Sequence, residues 1–243
     1  MKTLIIEDAR EYIFPIFSVP TKDNGIFLEQ RIYLGTAFFI TKHGDAITAG
    51  HVLPKPEELK KEHRLIALVV QNGKQTPCWI THCAKFELFD VALLHVNLEI
   101  TKYLQVSAEE IPGGTDVSTV GIPAHELWGS GMEMRIFKGH VTFVHKFLEL
   151  SFPVPLGMSG SPLLVGIKAV GYLTGTVRSE EIEESSEEFE EISDQKEVIR
   201  LTQIKRAIYY GLAYPFSHLK DIPDPALDGK TLVEFIADRN IQP

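Results

Sequence analysis

Apolar and polar positions along the 243-residue chain fall into short alternating or continuous runs, not into long helical stripes. Arg31–Ile40 (RIYLGTAFFI) is rich in β-branched and aromatic residues, Thr41–Asp45 (TKHGD) supplies a turn, and Ala46–Ala49 begins a return strand. The same style recurs at Leu65–Val70, Trp79–Phe86, Val91–Val96, Val117–Ile122, Met134–Phe137, Val141–Phe147 and Leu163–Thr176. Strand starts spaced by roughly 8–12 residues predict an all-β sandwich or barrel and argue against an alternating α/β fold. Helical patterns are few. Pro56–His63 (PEELKKEH) reads as one charged turn. Asp228–Asn240 reads as a capped terminal helix, with Asp228 as N-cap and Leu232, Phe235 and Ile236 as its apolar stripe. A Pro- and Gly-containing seam at Ser107–Thr115 (SAEEIPGGT) divides the chain into two all-β halves, 1–108 and 109–243.

Composition changes this picture little: 44% hydrophobic and 23% charged residues are ordinary for a folded protein. The length allows a real core without disulfides or metals. The longest clean apolar run, Leu65–Val70, is far short of the roughly 18 residues a membrane helix needs. The N-terminus turns acidic at Glu7 and Asp8 before a signal-like stretch develops, so the expectation is a soluble, cytoplasmic protein without a membrane partner. Cys78 and Cys83 are five apart, which on a regular strand puts them on opposite faces and disfavours a mutual disulfide. Neither they nor the histidines show metal-ligand spacing, so no metal or cofactor is expected.

The formal charge of −9 is local. Ser179–Glu197 holds ten acids against the single base Lys196, and the rest of the chain is neutral. A nucleic-acid-binding face would need a basic patch, and none is implied. The acidic stretch reads as a solvated, mobile excursion between two apolar strands. A sharper alternative is a regulatory arm beside a cleft that recruits a basic protein partner.

Three patterns bear chemistry. They are Thr48-Ala49-Gly50-His51-Val52-Leu53, Phe89-Asp90-Val91-Ala92-Leu93-Leu94, and Leu156-Gly157-Met158-Ser159-Gly160-Ser161-Pro162-Leu163. Singly, each is an ordinary turn or cap. Together they give His, Asp and Ser in that order, with gaps of 39 and 69 residues, on an all-β chain. The combination resembles the trypsin-like (chymotrypsin-fold) serine proteases, in particular their bacterial HtrA-like branch. GTAFFI…AITAGHVL is similar to the family's G-[ST]-x-F…T-A-[AG]-H-V block. Asp90–Leu94 is similar to D-[IV]-A-[LV]-L, and Gly157–Pro162 to G-x-S-G-[GS]-P. Gly211-Leu212-Ala213-Tyr214-Pro215 is similar to the HtrA branch's G-x-A-[IY]-P strand.

The resemblance implies two antiparallel six-stranded β-barrels with a short C-terminal helix, and an endopeptidase acting on protein or peptide substrates. Ser159 would be the nucleophile, His51 its general base and acid, and Asp90 the residue orienting His51. The backbone N–H groups of Gly157 and Ser159 would form the oxyanion hole. The strand carrying Leu173, Thr174 and Thr176 would pair with the substrate, and Pro153, Val154, Leu173, Thr176 and Ala213 would line the recess for the P1 side chain. That recess has no acid at its base, which disfavours Lys or Arg and favours a small or apolar P1 residue. Met158 stands where the secreted digestive enzymes carry the Asp that binds a freshly cut N-terminus, so packing or a partner must order the oxyanion loop. Only about 26 residues follow Ser217, too few for the PDZ domain of the HtrA branch. Two alternatives remain: a latent protease needing a partner, and a non-catalytic peptide-binding module on the same fold.

Overall fold

The structure, a computed structural model, describes residues 6–22, 25–26, 28–54, 63–86, 88–124, 133–192 and 196–241. The N-terminal half contains β1 (Ile13–Lys22), β2 (Gly25–Ile26), β3 (Ile32–Phe39), β4 (Asp45–Ala49), β5 (His63–Gln71), β6 (Lys74–Lys85) and β7 (Val91–Val96). Six of them pair antiparallel in the order β1-β3-β4-β7-β6-β5. β5 then pairs back on β1 at Phe17↔Ile66, which closes the sheet. The C-terminal half contains β8 (Gln105–Val106), β9 (Asp116–Gly121), β10 (Arg135–Val144), β11 (Leu148–Leu150), β12 (Pro162–Val165), β13 (Lys168–Ile192) and β14 (Lys196–Pro215). Its order is β9-β10-β11-β14-β13-β12, closed by β12 on β9 at Leu163↔Thr119. The short β2 extends the first barrel, and β8 adds a parallel pairing to the start of β13. The fold is therefore the expected pair of closed six-stranded antiparallel barrels. Closure satisfies backbone groups that an open sheet would leave at its edges.

The barrels are not independent. One apolar cluster joins Phe14, Phe38, Ile47 and Leu94 of the first barrel to Ile122, Leu164, Tyr172 and Tyr214 of the second. A second cluster, with Val141, Leu150, Met158, Leu163 and Leu173, fills the second barrel alone. All of β4 and the first four residues of β7 are buried, because both strands are covered on two sides. These are the strands that lead to His51 and away from Asp90.

Three local expectations need correction. The acidic stretch is not an irregular excursion: β13 continues to Ile192 and pairs with β14 from Glu180↔Ile208 to Ile192↔Lys196, as a two-stranded ribbon. Its register sets Glu183 opposite Lys205 and Glu188 opposite Arg200, so the acidic strand pairs with a return strand rich in β-branched and basic residues. The terminal helix α2 (Leu232–Ile241) is capped by Thr231, not Asp228. Thr231 Oγ1 accepts from the Glu234 amide at 3.2 Å and Glu234 Oε2 accepts from the Thr231 amide at 2.8 Å, a reciprocal capping box. Asp228 instead takes a left-handed turn conformation with φ 55°. Finally, a β-bulge between Ile80 and His82 resets the parity of β6, so Cys78 and Cys83 share a face. Both are free thiols, held about 16 Å apart by five residues of strand, far beyond disulfide reach. Burial of its sulfur raises the Cys83 thiol to about 11. Pro56–His63 lies outside the described residues except for His63, which opens β5. Among the described residues no helix is long and apolar enough to cross a membrane.

α2 docks on the first barrel through a buried carboxylate. Asp45, with 1% of its side chain exposed, accepts from Thr41 Oγ1 at 2.8 Å, and His95 Nδ1 lies 2.9 Å from its other oxygen. Arg239 of α2 brings Nε to 3.3 Å. Removing a cation from a buried carboxylate leaves a poorly compensated charge. Arg239→Ala should lower unfolding free energy by about 1.5–3 kcal/mol in urea titrations, the range for hydrogen bonds to charged groups. A value near zero would mean that Thr41 and His95 suffice.

Candidate active site

β4 ends at Ala49 and the chain turns through one 3₁₀ turn, Gly50–Val52, that carries His51. The turn is fixed to Asp90, just before β7. The Gly50 amide donates to the Asp90 carbonyl at 2.9 Å, and the His51 amide to Asp90 Oδ1 at 2.7 Å. Asp90 Oδ2 lies 2.7 Å from His51 Nδ1. A Cβ on Gly50 would stand 3.0 Å from Asp90 Oδ1, a tight contact that glycine avoids. The pair is nearly half exposed (48% and 39%), so it adds little to stability. Its effect is orientational: with Nδ1 held by a carboxylate, the neutral ring leaves Nε2 as a proton acceptor.

Ser159 sits in the loop from Pro155 to Ser161, whose backbone polar groups can be followed one by one. The Met158 amide donates to the Pro155 carbonyl at 3.1 Å, and the left-handed φ of Gly157, +93°, is what a type II turn demands at its third position. The Leu156 carbonyl accepts from the Ala124 amide at 2.7 Å. The Gly157 carbonyl accepts from Tyr33 Oη at 2.7 Å and Thr36 Oγ1 at 3.0 Å. The Met158 carbonyl accepts from the Ser161 amide, and the Ser159 carbonyl from the Thr36 amide, both at 3.0 Å. The Gly160 amide donates to the Leu173 carbonyl at 2.8 Å. Three of the loop's amides remain without an acceptor among the described residues: that of Leu156, which is largely exposed, and those of Gly157 and Ser159, the pair the motif singles out.

The serine loop also lies against the strand end from which His51 projects. A Cβ on Gly160 would stand 3.0 Å from the Ala49 amide and would overlap Thr36 O and Thr48 Oγ1. The Ser159 hydroxyl donates to the Thr174 carbonyl at 3.4 Å, a long bond, and has no hydrogen bond to His51.

The residues expected to bind substrate divide into two groups. Leu173 and Ala213 face each other across β13 and β14 and are wholly buried in the second core. Thr174 and Thr176 remain accessible on β13, and the Thr176 hydroxyl accepts from the Val154 amide at 2.8 Å and donates to its carbonyl at 2.9 Å. Val154 packs against Gly211, where a Cβ would meet Val154 Cγ2 at 2.8 Å. Tyr33 escapes the motif reading of the site, and Gly211 and Thr36 lie inside matched blocks that assign them no role. Gly35-Thr36 lies within the GTAFFI block, but nothing local marks Tyr33, whose partners are 89 and 124 residues away.

Gly157, like Gly160, is a position of this loop that admits no side chain. A Cβ would stand 2.6 Å from both the Ala124 amide and Tyr33 Cε1. Gly157→Ala should therefore leave the barrels folded by circular dichroism but displace the loop. Any acyl-transfer rate should fall about 10²–10³-fold, the usual effect of losing one oxyanion donor. An unchanged rate would show that the Gly157 amide takes no part.

Comparison with known proteins agrees with this geometry. The trypsin-like peptidase domain family matches residues 35–168, more than half of the chain. An uncharacterized protein, y4bJ, of Sinorhizobium fredii (strain NBRC 101917 / NGR234) is 28% identical over 159 residues, which are 60% of this chain. The match covers only 22% of that relative's length. Among solved structures, the HtrA-type protease AlgW with decapeptide superimposes with a TM-score of 0.54 at 15% identity, over 97% of this chain and 67% of that one. That similarity is one of fold. With the match across both the His51 and Ser159 blocks, the chain belongs to the trypsin-like peptidase family.

Proposed function

We propose that the chain is a serine endopeptidase that cleaves peptide bonds through an acyl-enzyme on Ser159. The observation that carries this reading is the pair of unpartnered amides, Gly157 and Ser159, beside the serine on a loop whose carbonyls from Pro155 to Ser159 are all taken. Ser159 Oγ attacks the scissile carbonyl carbon while its proton passes to His51 Nε2. The carbonyl oxygen becomes an oxyanion and accepts from the two amides. His51 then gives its proton to the departing amine, leaving the acyl group on Ser159. Water repeats the attack, with His51 again taking and returning a proton, and the acid product leaves. Asp90 remains a carboxylate throughout and stabilises the imidazolium.

Active-site labelling tests this. A fluorophosphonate probe should label the wild-type chain on Ser159 and fail on Ser159→Ala. Asp90→Asn should keep the fold and lose about 10⁴ in turnover, because Nδ1 no longer faces a carboxylate. A chain that resists labelling under every condition is instead a peptide-binding module.

One observation favours a second reading, a protease latent until a protein partner or ligand engages it. The resting Ser159 hydroxyl bonds Thr174 and not His51. In that case labelling appears only when the partner or an extended peptide is added. The free thiols suit a reducing compartment such as the cytoplasm.

The P1 recess supports a narrow preference. Val154 fills the volume beside Gly211, so a small apolar P1 side chain fits best. Peptide-library profiling should show that preference, and Val154→Ala should extend it to larger apolar residues. A strong wild-type preference for Lys or Arg overturns it.

A further inference from the structure

We infer that Tyr33 is a positioning residue that holds the oxyanion loop in its donor-ready form from across the barrel interface; this rests on the protease reading above. Tyr33 lies on β3 of the first barrel, yet its hydroxyl is 2.7 Å from the Gly157 carbonyl and 2.7 Å from the Ile122 carbonyl, both in the second barrel. Thr36 Oγ1 lies 3.1 Å from the same hydroxyl and 3.0 Å from the Gly157 carbonyl. Two hydroxyl protons thus serve two carbonyl acceptors.

The consequence follows from peptide planarity. In a trans peptide the N–H points opposite to the C=O. The Leu156–Gly157 plane is fixed by its carbonyl on the Ala124 amide, which aims the Gly157 N–H the other way. The next plane is fixed at both ends, by Tyr33 and Thr36 on the Gly157 carbonyl and by Pro155 on the Met158 amide. Tyr33 links the two supports, because its single hydroxyl proton lies between the Gly157 carbonyl and that of Ile122, two residues from Ala124. The ring is as necessary as the hydroxyl: its Cε1 occupies the space beside Gly157 Cα, and Phe17 backs it at a centroid distance of 5.4 Å. With Met158 wholly buried and unable to form an ion pair, these neutral bonds do the ordering. Burial raises the Tyr33 phenol well above its ordinary value, so it stays a neutral donor through the working pH range.

Tyr33→Phe removes the hydroxyl and keeps the ring. We expect kcat on a peptide substrate to fall at least tenfold while KM changes less than twofold. Affinity for a peptide boronate, which forms a tetrahedral anion on Ser159, should fall by the same factor as kcat/KM. Binding of uncleaved peptide to the Ser159→Ala form should not change. Thr36→Val should act in the same direction, and the double variant should lose less than the product of the two effects, since both serve one carbonyl. Hydrogen exchange gives a readout independent of turnover: amides in 153–161 should exchange faster in Tyr33→Phe while those of β4 and β7 do not. If the wild-type chain proves inert, the protease reading fails and the exchange arm still decides the role of Tyr33. Unchanged kcat and unchanged exchange in a folded Tyr33→Phe overturn the inference, as does an equal loss of peptide and boronate binding.

Discussion

The site depends on one constraint, that a buried backbone carbonyl or amide must find a partner. Between Pro155 and Ser161 the chain turns too tightly to join a sheet ladder, so it cannot satisfy itself. Two of its carbonyls, those of Gly157 and Ser159, are met by β3 of the opposite barrel, through Tyr33, Thr36 Oγ1 and the Thr36 amide. Thr36 is bound in turn by Thr48 Oγ1 to its own carbonyl at 2.7 Å, which ties β3 to the strand that ends at His51. The bonds that shape the serine loop are therefore the bonds that fix its position relative to the His51 imidazole. Neither barrel alone contains a complete site.

This division explains the placement of the glycines. Gly50 and Gly160 stand where backbone from one block presses on backbone or side chain of another, and Gly157 stands where the turn needs a left-handed residue. Each motif glycine answers to a contact far away in sequence. The motif is the local trace of a non-local packing problem.

Most of the architecture was legible because it is written in local pattern: strands in apolar runs, turns in Gly and polar clusters, and the three blocks in order. What escaped was long-range or parity-dependent. Tyr33 looks like any aromatic in a strand until β3 is set against the serine loop. The acidic ribbon looked like a solvated excursion because its charge was counted without its return strand, where Arg200, Lys205 and Arg206 interleave with Ile and Val. One bulged residue at Thr81 reversed the relation of the two cysteines. Asp228 offered a capping side chain, but the capping box belonged to Thr231 with Glu234 three positions on. Leu173 and Ala213 were assigned to the substrate recess by alignment along the strand, and their side chains belong to the barrel core. Only Thr174 and Thr176 keep an accessible position on the same strand.

A loop that leaves the Gly157 and Ser159 amides without acceptors beside the serine is at odds with ordinary folding preference. A desolvated N–H lacking a partner costs about 1–3 kcal/mol. The loop would lower that cost by rotating a peptide plane inward, as glycine at position 157 freely permits. Rotation of the Leu156–Gly157 plane would sacrifice the bond to Ala124, and rotation of the Met158–Ser159 plane, which carries the Ser159 amide, the bond from the Ser161 amide to the Met158 carbonyl. Each flip therefore forfeits one bond for the one it gains, and the plane between them, held by Tyr33, Thr36 and Pro155, keeps the two outer planes in place. Competence in this arrangement is a property of the barrel interface. Anything that separates β3 from the serine loop by the length of one hydrogen bond releases the loop, whereas none of these bonds involves the ribbon of β13 and β14.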